Sequence, residues 1–176
     1  MYNILHNRVA GMQNMDLRFT VQTKIQKPVK EVFDAVHNPK KLSGYFTSGG
    51  SDGPLDEGKT VVWKFNDVGD KIVSAPVKVQ KVVRNRLIRF SWEASEGLFD
   101  PKTGSIPESG GYDTVVEMSF EPLNANETLV KIVEGKWRST EGGLQGSYGN
   151  CQGWTHMGLC LKAYLEHGIN LRKGSF

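Results

Sequence analysis

The run Gly149-Asn150-Cys151-Gln152-Gly153 places a cysteine where a nucleophile elbow carries its serine, so acyl transfer from Cys151 is the chemistry this pattern would serve. That chemistry needs a buried strand ahead of the nucleophile, with an acid and a histidine arriving from later strands. Here Gly and polar residues precede the cysteine, and the only downstream histidines, His156 and His167, ride the same helical stretch on its other face. The expected role of Cys151 is therefore packing near the start of a helix, since free cysteine is commonly buried. Five glycines from Gly142 to Gly153 suggest an anion cradle at a helix N-terminus. No Gly-Lys-Ser/Thr occurs within this stretch and no strand leads directly into the turn, so the expectation is a structural loop that swings the chain from Trp137 onto the helix.

Other groups are weighed in the same way. His6, His37, His156 and His167 form no pair with metal-ligand spacing and a carboxylate or thiolate on the same face, and no metal or cofactor is assigned. Glu134 alternates with Val130 and Ile132, which turns it inward from a strand. An inward carboxylate has a raised pKa and could bond a ligand or act as a general base; the alternative is an ion pair with Lys136, Lys131 or an arginine near the strand end. Trp63, Phe90, Trp92, Trp137 and Trp154, with Met157 and Leu161, form an aromatic and apolar set. Such a set serves either as core or as the wall of a site for an apolar ligand.

The elements that must position these groups follow from periodicity. Leu17, Phe19, Val21 and Ile25 alternate with Arg18, Gln22 and Lys24, which predicts a half-buried strand. Pro28 opens a helix with Val29, Val32, Phe33 and Val36 on one face, ending at Asn38-Pro39, and a second short helix is expected over 40–46. The Ser/Gly-rich stretch 47–53 then leads into strands over 59–65, 73–83, 87–93, 112–121 and 128–137. Turns at 84–86 and 123–126 favour antiparallel pairing of neighbours. A Gly/Pro/Ser-rich excursion over 94–111 is long for a compact domain. From Gly153 to Gly168, Trp154, Met157, Leu161, Tyr164 and Leu165 fall in one apolar arc, opposite Gln152, Thr155, His156, Lys162, Glu166 and His167. Gly168 is the stop signal of this helix.

The chain has 176 residues, 38% hydrophobic and 23% charged, which suits one globular domain over 16–176 behind a loose arm of residues 1–15. Met12 and Met15 are alternative starts. A net charge of +3, with Lys and Arg scattered along the strands, does not indicate a nucleic-acid partner. No apolar run is long enough for a membrane span, no secretory pattern opens the chain, and a cytoplasmic setting is expected. The sequon at Asn126 matters only in a secreted chain. Cys151 and Cys160 stand nine residues apart on one helix, a rise of about 13.5 Å, which excludes a bridge between them.

Three blocks carry a family resemblance: Ile25, Pro28, Val32, Phe33 and Ala35 ending at Asn38-Pro39 with Leu42 after it; Gly58 with Val61, Val62, Trp63 and Phe65; and Gly153-Trp154 followed by Leu161 and Tyr164-Leu165. With these the chain resembles the START-like (SRPBCC) superfamily, in the branch similar to the activator of heat-shock-protein-90 ATPase. The resemblance implies an α+β helix-grip fold: a curved antiparallel sheet wrapped around a long C-terminal helix, with two short helices after the first strand and a cavity between helix and sheet. Members of that superfamily include lipid and hormone carriers, polyketide cyclases and chaperone activators, so fold alone does not choose among them.

Three functions are expected in order. The first is a non-catalytic module that holds a hydrophobic small molecule or lipid, with Trp63, Phe90, Trp92, Glu134, Trp137, Trp154, Met157 and Leu161 as ligand-binding residues and no catalytic residue. The second is a chaperone-associated protein-interaction role in the stress response, implied by the resemblance. The third, and least supported, is a cyclase or hydratase that uses Glu134 or Tyr112 as acid/base.

Overall fold

The computed structural model describes residues 16–68, 71–98, 100, 102, 105 and 107–175. The expected N-terminal arm, His6 and the alternative starts at Met12 and Met15 lie outside the described residues. Strand β1 is Leu17–Ile25, helix α1 is Val29–His37 and helix α2 is Pro39–Leu42. Strands follow at β2 (Gly50–Ser51), β3 (Thr60–Phe65), β4 (Val73–Val83), β5 (Leu87–Glu96), β6 (Glu108–Asn124) and β7 (Glu127–Trp137), and helix α3 is Glu141–His167. The strands form one antiparallel sheet in the order β1-β7-β6-β5-β4-β3-β2. From β2 to β7 each strand pairs with its chain neighbour, while β1 closes onto β7 from the far end of the chain. Among the described residues no helix is long and apolar enough to cross a membrane.

Alternation of apolar side chains gives the sheet one inner face, and its pairing slips at Leu17/Phe19, Val79/Lys81, Glu93/Ser95 and Pro122/Asn124. Each slip inserts a bulge that bends a strand and increases its twist. Four of them let the sheet curl around α3 instead of lying flat on it. The core between them contains Ile25, Trp63, Phe90, Val116, Met118, Ile132, Trp154, Met157 and Leu161, all buried. Pro28 holds the N-cap position of α1 through its backbone carbonyl alone, and Asn38 accepts at its side-chain oxygen from the Lys40 N–H at the start of α2.

The largest departure from expectation is the glycine-rich stretch, which is helix and not loop: α3 begins at Glu141. The hydroxyl of Thr140 accepts from the Gly143 N–H at 3.1 Å, a side-chain cap, and Glu141 favours the first turn through the helix dipole. Some glycines of α3 serve close approach. A Cβ on Gly146 would run into the Ser95 carbonyl and the Trp137 ring, and one on Gly158 would strike the Thr23 hydroxyl. Helix propensity is given up there so that the backbone can lie directly on the sheet.

Other boundaries shift less. The second short helix stops at Leu42, and 43–46 are turn. Gly50–Ser51, expected as loop, adds a short edge strand to β3. β5 runs on to Glu96 and β6 starts at Glu108, so the excursion between them is shorter than 94–111 and includes an antiparallel bridge from Asp100 to Ser105. Glu166 is not on a solvated face: its carboxylate accepts from the Gln26 backbone N–H at 2.6 Å and from Lys162 at 2.7 Å, tying the end of α3 to the end of β1. Burial pushes its pKa up, but these donors outweigh burial and hold it below the ordinary value.

Candidate functional site

Glu134 sits on β7, fully buried, and among the described residues every side chain that donates a hydrogen bond to its carboxylate is neutral. Trp92 on β5 donates its indole N–H to Oε1 at 2.9 Å, and Thr114 on β6 donates its hydroxyl to the same oxygen at 2.6 Å. From α3, Trp154 donates to Oε2 at 2.7 Å, and Asn150 places its amide between both oxygens at 3.1 and 3.2 Å. The expected alternative, an ion pair with Lys136, Lys131 or an arginine, does not form among the described residues. A backbone irregularity explains why: Lys136 has φ of 70°, and β1 and β7 slip register between Leu17↔Trp137 and Phe19↔Glu134. The extra residue turns Lys136 out to solvent and brings Trp137 back to the inner face.

Burial raises the Glu134 pKa, opposed by hydrogen bonds from Thr114, Trp92, Trp154 and Asn150, and burial prevails. Desolvating a carboxylate costs several kcal/mol, and each hydrogen bond to a charged acceptor returns about 1.5–3 kcal/mol. The cluster therefore crosslinks helix to sheet. It also occupies the lone pairs a general base would need.

Beside this cluster lies a cavity of about 240 Å³ between α3 and the open end of the sheet. Trp92 and Trp154 form its inner wall, with ring centroids 5.3 Å apart. Phe46, Phe65, Val68, Val73 and Pro107 supply further apolar wall, and Ser95, Asn150, His156 and Arg172 are its polar edges. Arg172 comes from the tail after α3. Its Nε and a terminal nitrogen donate to the two oxygens of Asp67 at 2.7 and 2.9 Å, and its guanidinium lies 5.1 Å from the Phe65 ring centre and 5.6 Å from that of Phe46. Ser48 donates to the same Asp67 at 2.6 Å. Burial alone would raise the Asp67 pKa, but the bonds from Arg172 and Ser48 bring it below the ordinary value.

The eight residues singled out from sequence separate into three groups. Trp92 and Trp154 line the cavity, and Glu134 lies directly behind them. Trp63, Phe90, Met157 and Leu161 pack in the main core, where Trp63 meets Phe46, Phe90 and Trp92 edge to face. Trp137 belongs to a separate small cluster with Leu17 and Ala94. Trp63 and Trp137 bury their indole N–H groups with no hydrogen-bond partner among the described residues.

Tyr112, the other acid/base candidate, accepts the Arg138 backbone N–H at 3.2 Å under that residue's guanidinium, 4.3 Å from the ring centre. Burial raises its pKa. His156 is half-buried at the cavity edge, its ring 3.6 Å from the Cys160 sulfur; burial and the Arg172 charge lower its pKa. Cys151 and Cys160 are both free thiols. His37 bonds Asp56 at 3.0 Å. Among the described residues no group of three His, Cys, Asp or Glu could hold a metal ion.

Sequence reasoning missed Asn150, Thr114, Phe46, Asp67 and Arg172. Asn150 lies within the elbow pattern, but that pattern points to its neighbour Cys151. Arg172 carries no local signal, because only the return of the tail across the sheet brings it to Asp67.

A family model described as "Activator of Hsp90 ATPase homolog 1-like protein" matches residues 26–166. No curated protein matches the chain significantly. Among solved structures, a Staphylococcus saprophyticus protein has 25% identity and a TM-score of 0.67, covering 89% of this chain and 96% of that one. The solution structure of the Aha1 dimer from Colwellia psychrerythraea has 19% identity and a TM-score of 0.64, over 86% and 98% of the two chains. DynU16, a protein in the dynemicin biosynthetic locus, has 20% identity and a TM-score of 0.67, over 89% of this chain and 49% of that chain.

Proposed function

This chain belongs to the activator of Hsp90 ATPase homolog 1-like family, and from that premise we propose that it is a non-catalytic module that holds a compact apolar molecule between α3 and the sheet. The observation that carries this reading is the cavity beside Trp92 and Trp154, apolar on most of its wall and bounded by a few polar groups, the usual make-up of a small-molecule site. Its volume of about 240 Å³ favours a compact ligand over a lipid chain. The occupied lone pairs of Glu134 and the Tyr112–Arg138 contact support binding over acid/base catalysis. Two free thiols fit the cytoplasmic setting expected from sequence.

Native mass spectrometry of protein purified from its source, together with titration of the neutral two-ring dye 1-naphthylamine, tests this reading. A retained small mass, or dye fluorescence that Phe65→Ala or Trp92→Ala weakens, is the expected result. No retained mass and no dye binding would sink it.

A second reading is a chaperone-associated role, supported by the description of the matching family and by the Aha1 relative. Unchanged chaperone ATPase rates on addition of this protein, with an empty pull-down, would remove it.

A further inference from the structure

Resting on the binding reading above, we propose that the cavity takes a neutral one- or two-ring arene bearing a hydrogen-bond donor, and that the carboxamide oxygen of Asn150 is the acceptor that selects it. Size comes first. A dry apolar cavity of about 150 Å³ accommodates benzene, whereas sites for drug-sized ligands begin near about 300 Å³. At about 240 Å³ this one suits one or two rings.

The polarity follows from Glu134. Ionised, its carboxylate only accepts, so the Asn150 group lying 3.1 and 3.2 Å from its two oxygens is the NH₂ and not the oxygen. That settles the amide orientation chemically. It leaves Asn150 Oδ1, an acceptor on a half-buried residue of the cavity wall, with no protein partner among the described residues. An all-carbon ligand would strip water from this oxygen without replacing its bond, while a hydroxyl or N–H would satisfy it. The Glu134 carboxylate close behind the wall disfavours an anionic ligand, and Arg172 at the edge already faces Asp67. Asn150 is thus a specificity residue whose orientation Glu134 fixes.

The test compares 2-naphthol with 2-methoxynaphthalene, which has the same ring system and no donor. Binding is followed by tryptophan fluorescence and located by the indole N–H resonances of Trp92 and Trp154. The expected result is 2-naphthol binding roughly five- to tenfold more tightly, with Asn150→Ala bringing the two probes within about twofold. Should Asn150→Ala fail to fold, the wild-type Asn150 carboxamide resonances replace it: they shift with 2-naphthol and not with its ether. Equal affinity of the two probes in the wild type overturns donor recognition while leaving the cavity reading intact. A preference that survives Asn150→Ala, or that leaves the carboxamide resonances unmoved, overturns the assignment to Asn150. If neither probe moves the indole signals, the cavity reading falls and this inference with it.

Discussion

The indole N–H of Trp154 donates to Oε2 of Glu134 at 2.7 Å, joining the long helix to the seventh strand through a bond between two buried side chains. A ring that packs by its apolar surface thus also belongs to one of the four residues that donate to this buried carboxylate.

Trp154→Phe keeps most of the packing and removes that donor. We expect a loss of about 1–3 kcal/mol in unfolding free energy, measured by urea denaturation, because a buried charged acceptor loses a partner. A loss below about 0.5 kcal/mol would show that the indole contributes only its area.

Glu134→Gln tests whether charge or shape matters. The amide has one acceptor oxygen where four residues donate, so its NH₂ must face a donor, and destabilisation of about 1–3 kcal/mol is expected at neutral pH. The pH dependence has a definite sign. The native pKa of Glu134 is raised, so its titration contributes stability below the ordinary glutamate value and loses it as pH rises through the native value. Stability measured from pH 4 upward should therefore contain a falling component in the wild type that Glu134→Gln lacks.

Asp67→Asn addresses the tail. The native pKa of Asp67 is lowered, so its contribution is present above the ordinary aspartate value and is lost as pH falls through the native one. Thermal melts at pH 7 and pH 3 should show a larger acid-induced drop for the wild type than for the variant. Equal drops would mean that the Arg172–Asp67 pair contributes nothing to folding.

Two glycines of α3 should respond with opposite sign to alanine. A Cβ on Gly153 meets open space, so Gly153→Ala should stabilise by about 0.5–1 kcal/mol through helix propensity. On Gly146 the same methyl strikes the Ser95 carbonyl, a backbone atom that cannot swing aside. There we expect a loss of more than about 1 kcal/mol despite the same propensity gain. Denaturant midpoints of the two variants moving in the same direction would contradict this account.

Much of the architecture was legible in the chain. Alternation at Leu17, Phe19, Val21 and Ile25 defined β1, and the arc of Trp154, Met157 and Leu161 marked the buried face of α3, because periodicity reports which side an element buries. The inward direction of Glu134 followed from the same rule. Its partners did not, because local sequence cannot tell which donors three strands and a helix will bring to one point. The stretch from Gly142 to Gly153 misled for a related reason: glycine is a poor helix former in isolation, and only the contact of Gly146 with Ser95 reveals why a missing Cβ is needed there.

The sequence by itself determined the family, most element types and the inner faces, all of which depend on the spacing of apolar residues along the chain. Tertiary structure alone decided that Trp63 and Phe90 fill the core while Trp92 and Trp154 border a cavity, that a bulge at Lys136 turns Trp137 inward onto a separate small cluster, and that Asn150 and Arg172 reach the site. Those outcomes depend on how far the sheet curls and where the tail returns. They are set by the sum of many distant contacts, and no local pattern encodes such a sum.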